Sequence, residues 1–149
     1  MTVLRIVDFP GRAALGALVI PASSCTQFHV EQLRSGVLAL QCCSDCGRCR
    51  YPIAPVCPYC GGPSFNWVSC GGTGVVFSWV RYPRSYLPEF ETLVPYVVLC
   101  VELAEGPRMF GRLVDTDVVP WIGMRVRAIV ERWTDGGHAP AFELDNKAN

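Results

Sequence analysis

Cys43-Ser44-Asp45-Cys46-Gly47 and Cys57-Pro58-Tyr59-Cys60-Gly61 decide how this chain folds. Each is a C-x-x-C turn that aims two sulfurs the same way, and the glycine after the second cysteine permits the positive φ that closes the turn. Ten residues separate the two turns. Facing one another, they give tetrahedral four-sulfur coordination with no open position, the arrangement of a structural metal rather than a catalytic one. Cys43, Cys46, Cys57 and Cys60 are the expected ligands, and a single structural ion the expected cofactor. Zinc is the default for such a set, which would also accept iron. Binding the ion supplies much of the folding energy of so small a ribbon. Cys42 offers a second register, C-x3-C with Cys46, but Gly47 and the matching second knuckle favour Cys43.

The remaining composition narrows the setting. Nine cysteines among 149 residues cannot all pair as disulfides, and their spacing is not that of a secreted scaffold. A reducing cytoplasm is the expected location, with the cysteines outside the metal set as free thiols. Half the residues are hydrophobic and 17% are charged, as in a compact folded protein. Lys+Arg and Asp+Glu both total 13, so there is no general attraction to nucleic acid or an anionic membrane. Ala13–Ile20 is apolar and lies behind Arg5 and Arg12, and Ala22-Ser23-Ser24-Cys25 bears some likeness to a lipoprotein cleavage site. Asp8 and Pro10 argue against a signal peptide, and eight apolar residues are far too few to span a membrane.

Outward from the cysteines, residues 1–24 read as an extended arm with a short strand near Val3–Val7. Ser23 or Ser24 is placed to cap a helix from Cys25 to Ser35, which Gly36 ends. Phe28 and Leu33 would dock that helix on a neighbour. Val37–Gln41 reads as a strand entering the first knuckle. Beyond Trp67, five runs rich in β-branched and aromatic residues alternate with Gly, Pro and Asp: Val75–Val80, Tyr96–Leu103, Arg108–Val114, Arg125–Trp133 and Ala141–Leu144. Five strands without a long helix suggest an OB-fold barrel. The expected protein is therefore mainly β: an arm (1–24), a helix and rubredoxin-like zinc ribbon (25–66), and a five-stranded OB-fold barrel (67–149). Arg81–Pro95, with three prolines and Tyr82, Tyr86 and Phe90, is the longest connection and reads as a functional loop.

Gly36–Gly61, Gly74-Val-Val-Phe-Ser-Trp79, Pro95–Gly106 and Ile122–Val126 together resemble the family of small proteins that join a rubredoxin-like zinc ribbon to an acyl-CoA-associated OB-fold domain. The likeness covers about residues 25–145. Three departures stand out: Cys42 replaces an arginine usual before the first ligand, Tyr51-Pro-Ile-Ala-Pro55 replaces Pro-Pro-Arg, and Phe28-His29 replaces Phe-Trp. The resemblance implies an accessory subunit partnered by a thiolase-like or ketosynthase-like enzyme, whose own cysteine and histidine do the chemistry. The small subunit would bridge its partners and shape a substrate or CoA channel. Phe28, Arg81, Arg84 and Tyr86 are the candidate contacts with CoA or the partner.

No residue is assigned a catalytic role. His29 and His138 read as surface or capping residues, since neither has an evident orienting partner. Asp115 and Asp117, like Glu102 and Glu105, sit where turns are expected. Two other readings stand beside the subunit. One is an OB-fold protein for single-stranded nucleic acid, with Phe77 and Trp79 on one strand face and Arg81 and Arg84 nearby; a pI of about 6.7 and the lack of a basic stripe oppose it. The other is a free-standing acyl-CoA-binding module.

Overall fold

The computed structural model describes residues 2–11 and 24–145; the Ala13–Ile20 run, Ser23 and the side chains of Ser24 and Cys25 lie outside that description. The runs of β-branched and aromatic residues form strands, and the glycines and prolines between them set their ends. In chain order the elements are β1 (Ile6–Asp8), α1 (Ser24–Arg34), β2 (Ala39–Cys43), β3 (Cys49–Arg50), β4 (Phe65–Ser69), β5 (Thr73–Tyr82), β6 (Tyr96–Leu103), β7 (Arg108–Leu113), β8 (Arg125–Arg132) and β9 (His138–Leu144). No helix among the described residues is long and apolar enough to cross a membrane.

Strands β8, β5, β6, β7 and β9 are neighbours in that order, and β9 pairs back onto β8, so five strands close into the barrel expected of an OB-fold. All pairings are antiparallel except β7 with β9. β5 holds the edge of β8 at Arg125–Arg127, and β1 joins β8 in parallel at Val130–Arg132. Residues of the arm thus belong to the barrel sheet and cover backbone that would otherwise be an open edge.

The ribbon is a three-stranded sheet in the order β3-β2-β4. β4 runs from Phe65, so this sheet uses residues on both sides of the second knuckle. Leu38 and Leu40 beside the ribbon, Leu33 of α1, and Leu99, Met109, Val126 and Phe142 of the barrel form one hydrophobic cluster. Ribbon, helix and barrel share a core rather than meeting at a polar joint.

Two expectations change here. A bulge between Val76 and Ser78 shifts the register of β5 against β6. Val76 pairs with Val101 and Trp79 with Leu99, both core residues, whereas Ser78 pairs with Cys100. Phe77 therefore faces outward, with the Arg108 guanidinium 3.4 Å from its ring, and does not share a face with Trp79. Strict alternation misplaced the pair because the bulge inserts a residue. Further, not all non-ligand cysteines are thiols: Cys42 and Cys49 stand opposite one another on β2 and β3 and form a disulfide. Cys70 and Cys100 are free and buried.

His29 is buried at 6% exposure rather than on the surface, and its Nδ1 lies 3.0 Å from the Ala39 carbonyl oxygen. Burial lowers its pKa below the ordinary 6.5, against the raising effect of that hydrogen bond. A depressed histidine contributes stability that is present above 6.5 and lost as pH falls through the lowered value. The urea midpoint should therefore drop on acidification from pH ~7.5 to ~5, and His29→Gln should flatten that dependence. An equal slope in the variant would assign the acid sensitivity elsewhere.

Candidate metal centre

The two knuckles repeat each other. Gly47 donates its N–H to the Cys43 carbonyl (3.0 Å), and Gly61 to the Cys57 carbonyl (2.8 Å). The two glycines hold φ of 72° and 77°, where a side chain would be strained. Cys43 sits at the end of β2 and Cys57 after the loop that follows β3, and the β2–β3 hairpin turns one knuckle toward the other.

Among the described residues, Cys43, Cys46, Cys57 and Cys60 are the group able to hold a metal, with all four sulfurs within 4.8 Å of one another. Cys43 and Cys60 sulfurs are 3.6 Å apart, and Cys46 and Cys57 sulfurs 3.7 Å. A tetrahedron with metal–sulfur bonds of ~2.3 Å has edges of about 3.8 Å, so these residues fit such an ion. Cys43 and Cys57 are buried, while Cys46 and Cys60 face solvent. At Cys57 burial opposes ionisation, but N–H groups of Tyr59 and Cys60 and the neighbouring thiols outweigh it, and the thiol falls to about 6. At Cys60 the Gly62 N–H favours the thiolate, yet the Cys43 thiol, burial and the other two sulfurs push it up to about 12. One thiolate forms readily and the next resists, until a cation makes all four favourable.

The ribbon has internal supports that no motif announced. Gln41, fully buried on β2, accepts at Oε1 from Arg50 Nε (3.1 Å) and from the Ala54 N–H (2.9 Å). Arg50 also donates to the Ala54 carbonyl, tying β2 to the loop that carries the second knuckle. An arginine on β3, across from Gln41, was visible only through strand register.

The other candidates are dispersed. Phe28 is half-buried and stacks on Trp67 of β4 with centroids 4.7 Å apart, so it fastens α1 to the ribbon. Arg81 and Arg84 are exposed, and Tyr86 is 79% exposed. The Arg81–Pro95 connection is only partly free: Phe90 and Leu93 pack against Phe9 and Trp133. Phe9 stacks on Trp133 at 3.8 Å, and Phe90 meets Phe9 edge-on at 5.4 Å. His138 Nδ1 bonds the Gly136 carbonyl in its own turn. Asp115 accepts from the Leu144 N–H, Glu102 pairs with Arg108, and Glu105 accepts from the Gly71 N–H, all structural contacts.

Comparison with known proteins adds the following. Residues 30–66 match the model of the ChsH2 rubredoxin-like zinc ribbon domain, and residues 67–131 that of the ChsH2 C-terminal OB-fold domain. A probable enoyl-CoA hydratase alpha subunit of Thermomonospora curvata is 42% identical over 89 residues, 58% of this chain and 27% of that protein. A DUF35 domain-containing scaffold protein of Methanocaldococcus jannaschii is 33% identical over 99 residues, 64% of this chain and 68% of that protein. The solved structure of an Ltp2-ChsH2(DUF35) aldolase superposes with a TM-score of 0.72 at 32% identity, covering 84% of this chain and 98% of that one. The chain spans about a quarter of the length of the hydratase subunit and two thirds of the scaffold protein.

Proposed function

The chain belongs to the ChsH2 family, a rubredoxin-like zinc ribbon joined to an OB-fold domain, and we propose that it is a noncatalytic subunit of an acyl-CoA-processing enzyme complex. The catalytic partner in this reading is thiolase-like and supplies the reacting cysteine and histidine. Relatives described as a hydratase subunit, a scaffold and part of an aldolase support the subunit role. The observation that carries it is the closed four-sulfur centre: with every coordination position filled by protein, the ion, which we assign as zinc, holds shape and performs no chemistry.

Large apolar side chains left in solvent are consistent with a missing partner. Val119, Trp121 and Ile122, between β7 and β8, are 75%, 60% and 65% exposed, and Phe110 on β7 is 67% exposed. Tyr86, Arg81 and Arg84 add a polar and aromatic margin from which CoA or the partner could be met.

The barrel offers a physical objection to nucleic acid. OB-folds take oligonucleotides across strands two and three, between the loops that follow strands one and four. Here Phe90 from the first of those loops and Trp133 at the start of the second close on Phe9. Those two loops are thus tied to the arm and to each other rather than left open around an oligonucleotide.

Affinity purification of the tagged chain from its native organism tests the reading. Recovery of an acyl-CoA enzyme in stoichiometric amount, lost in Cys57→Ser, is expected. Recovery of nucleic acid alone would overturn it, and tight CoA binding by the isolated chain would favour a free-standing module instead.

A further inference from the structure

Two cysteines outside the metal set stand at the base of the first knuckle. β2 and β3 pair over two rungs, Gln41 with Arg50 and Cys42 with Cys49, and the disulfide joins the second. These cysteines are seven positions apart, and the ligands Cys43 and Cys46 lie between them. Within itself the loop they close is held by two backbone bonds, from the Cys43 N–H to the Arg48 carbonyl (2.9 Å) and from the Gly47 N–H to the Cys43 carbonyl (3.0 Å). The second knuckle has no such closure: Cys57 and Cys60 are free.

The bond bears on the metal in two ways. Metal binding and ribbon folding are one event, so a constraint on the empty ribbon tightens its hold on the ion. A cross-link between strands that share only two rungs removes conformations the empty ribbon would otherwise explore. Cys42 is also the residue that offers the rival C-x3-C register with Cys46. Bonded to Cys49, its sulfur is no thiolate and cannot ligate; reduced, it competes from the position next to Cys43.

Reach decides which cysteines exchange. Cys42 and Cys49 pack on the common core but each keeps part of its surface in solvent. Cys70 and Cys100 are free and buried. Burial and the Glu105 carboxylate push the Cys70 thiol up to about 12, so it hardly forms the thiolate that exchange requires.

We propose that Cys42–Cys49 is a thiol–disulfide exchange site whose redox state sets how firmly the ribbon holds its ion. A dithiol attacks one of the two sulfurs as thiolate, and its second thiol then resolves the mixed disulfide. Cys42 and Cys49 take up two electrons and two protons and become thiols, while the dithiol leaves as a disulfide. A disulfide oxidant runs the exchange backwards and restores the lock. The inference rests on the four sulfurs holding a metal.

The test uses the full chain, purified without reductant and loaded with zinc. One half is reduced with dithiothreitol and desalted without oxygen, and alkylation with mass spectrometry counts the thiols. With no chelator present, both forms should keep their ion. A competing chromophoric chelator should strip the reduced chain about tenfold faster than the oxidised one, and glutathione disulfide should restore the slow rate. Cys42→Ser with Cys49→Ser should release its ion faster than the oxidised chain, at a rate that no redox treatment changes. In the cadmium-loaded chain, NMR couplings should reach the Cys42 β-protons only after reduction. Equal release from the two forms, a redox effect that persists in the double variant, or a Cys42–Cys49 bond that glutathione disulfide does not form would each overturn the proposal. A reduced chain without coupling to Cys42 would overturn the competition between registers. No bound ion in either form would overturn the metal assignment and the lock with it, whereas a bound ion released at a redox-independent rate would overturn the lock alone.

Discussion

Cys57→Ser should release the metal and unfold the ribbon while β5–β9 stay paired. Three thiolates and a hydroxyl are a far poorer site than four thiolates, and structural zinc in small fingers contributes about 10–16 kcal/mol at neutral pH. That is as large as the ~5–15 kcal/mol by which whole domains are stable. Beyond the Cys42–Cys49 disulfide and the shared core at Leu38 and Leu40, the ribbon has little to hold it: β3 is two residues long, and the Gln41–Arg50–Ala54 contacts depend on the second knuckle loop being in place. Metal analysis should fall from about one ion per chain to none, and amide exchange should accelerate through β2–β4 but not β5–β9. Because Leu38 and Leu40 belong to the common core, the barrel should survive with reduced stability rather than unchanged. Cys42→Ser is the matched control. Cys42 is bonded to Cys49 and outside the sulfur cluster, so that variant should keep its ion. A metal-free Cys57→Ser chain with protected ribbon amides would show that the ion is dispensable for the fold.

Arg112→Ala should be the most destabilising change outside the ribbon, by about 3–5 kcal/mol. Arg112 and Glu131 are 9% and 2% exposed, Arg112 Nε lies 3.0 Å from Glu131 Oε1, and the guanidinium is 5.8 Å from the centre of the Phe9 ring. Burial raises the Glu131 pKa even though Arg112 opposes the rise. Removing the guanidinium leaves a carboxylate with no counter-charge in a place water does not reach. A raised carboxyl favours the folded state below its unfolded pKa and loses that contribution as pH rises through the folded value. The deficit of Arg112→Ala should therefore shrink in acid, where a protonated Glu131 can remain buried. Arg112→Met with Glu131→Leu should recover most of the loss, since both charges go together. Urea denaturation at pH ~4.5 and ~7.5 reads both effects. A loss independent of pH would show that packing against Phe9, not charge, is what Arg112 supplies.

Much of the architecture could be read from local chemistry. The two knuckles with their glycines, the five β-rich runs and the docked helix each rest on neighbours a few residues apart, and there turn geometry and hydrophobic period speak directly. Tyr96–Leu103 is a strand with the bounds expected. α1 begins and ends one residue earlier than expected, and β9 starts at His138 rather than Ala141. What could not be read were contacts set by register or by closure of the barrel. The bulge at Phe77 turns that ring to the opposite face of β5 from Trp79. The Cys42–Cys49 disulfide needs those residues opposite one another on different strands. The burial of His29, expected as a surface or capping residue, is likewise absent from the helix pattern, which does not show that β2 and β9 pack against α1.

The sequence by itself determined that this protein is a four-cysteine ribbon followed by an OB barrel, because thiol spacing, glycine placement and strand periodicity are local. Only the tertiary structure decided that arm, helix, ribbon and barrel share one core. It also decided that the loops after β5 and β8 are tied to the arm by Phe9, Phe90 and Trp133, residues brought together across more than forty positions of chain at each step. Such long-range packing is fixed by which faces remain apolar after the strands have paired, and no window of sequence contains that information.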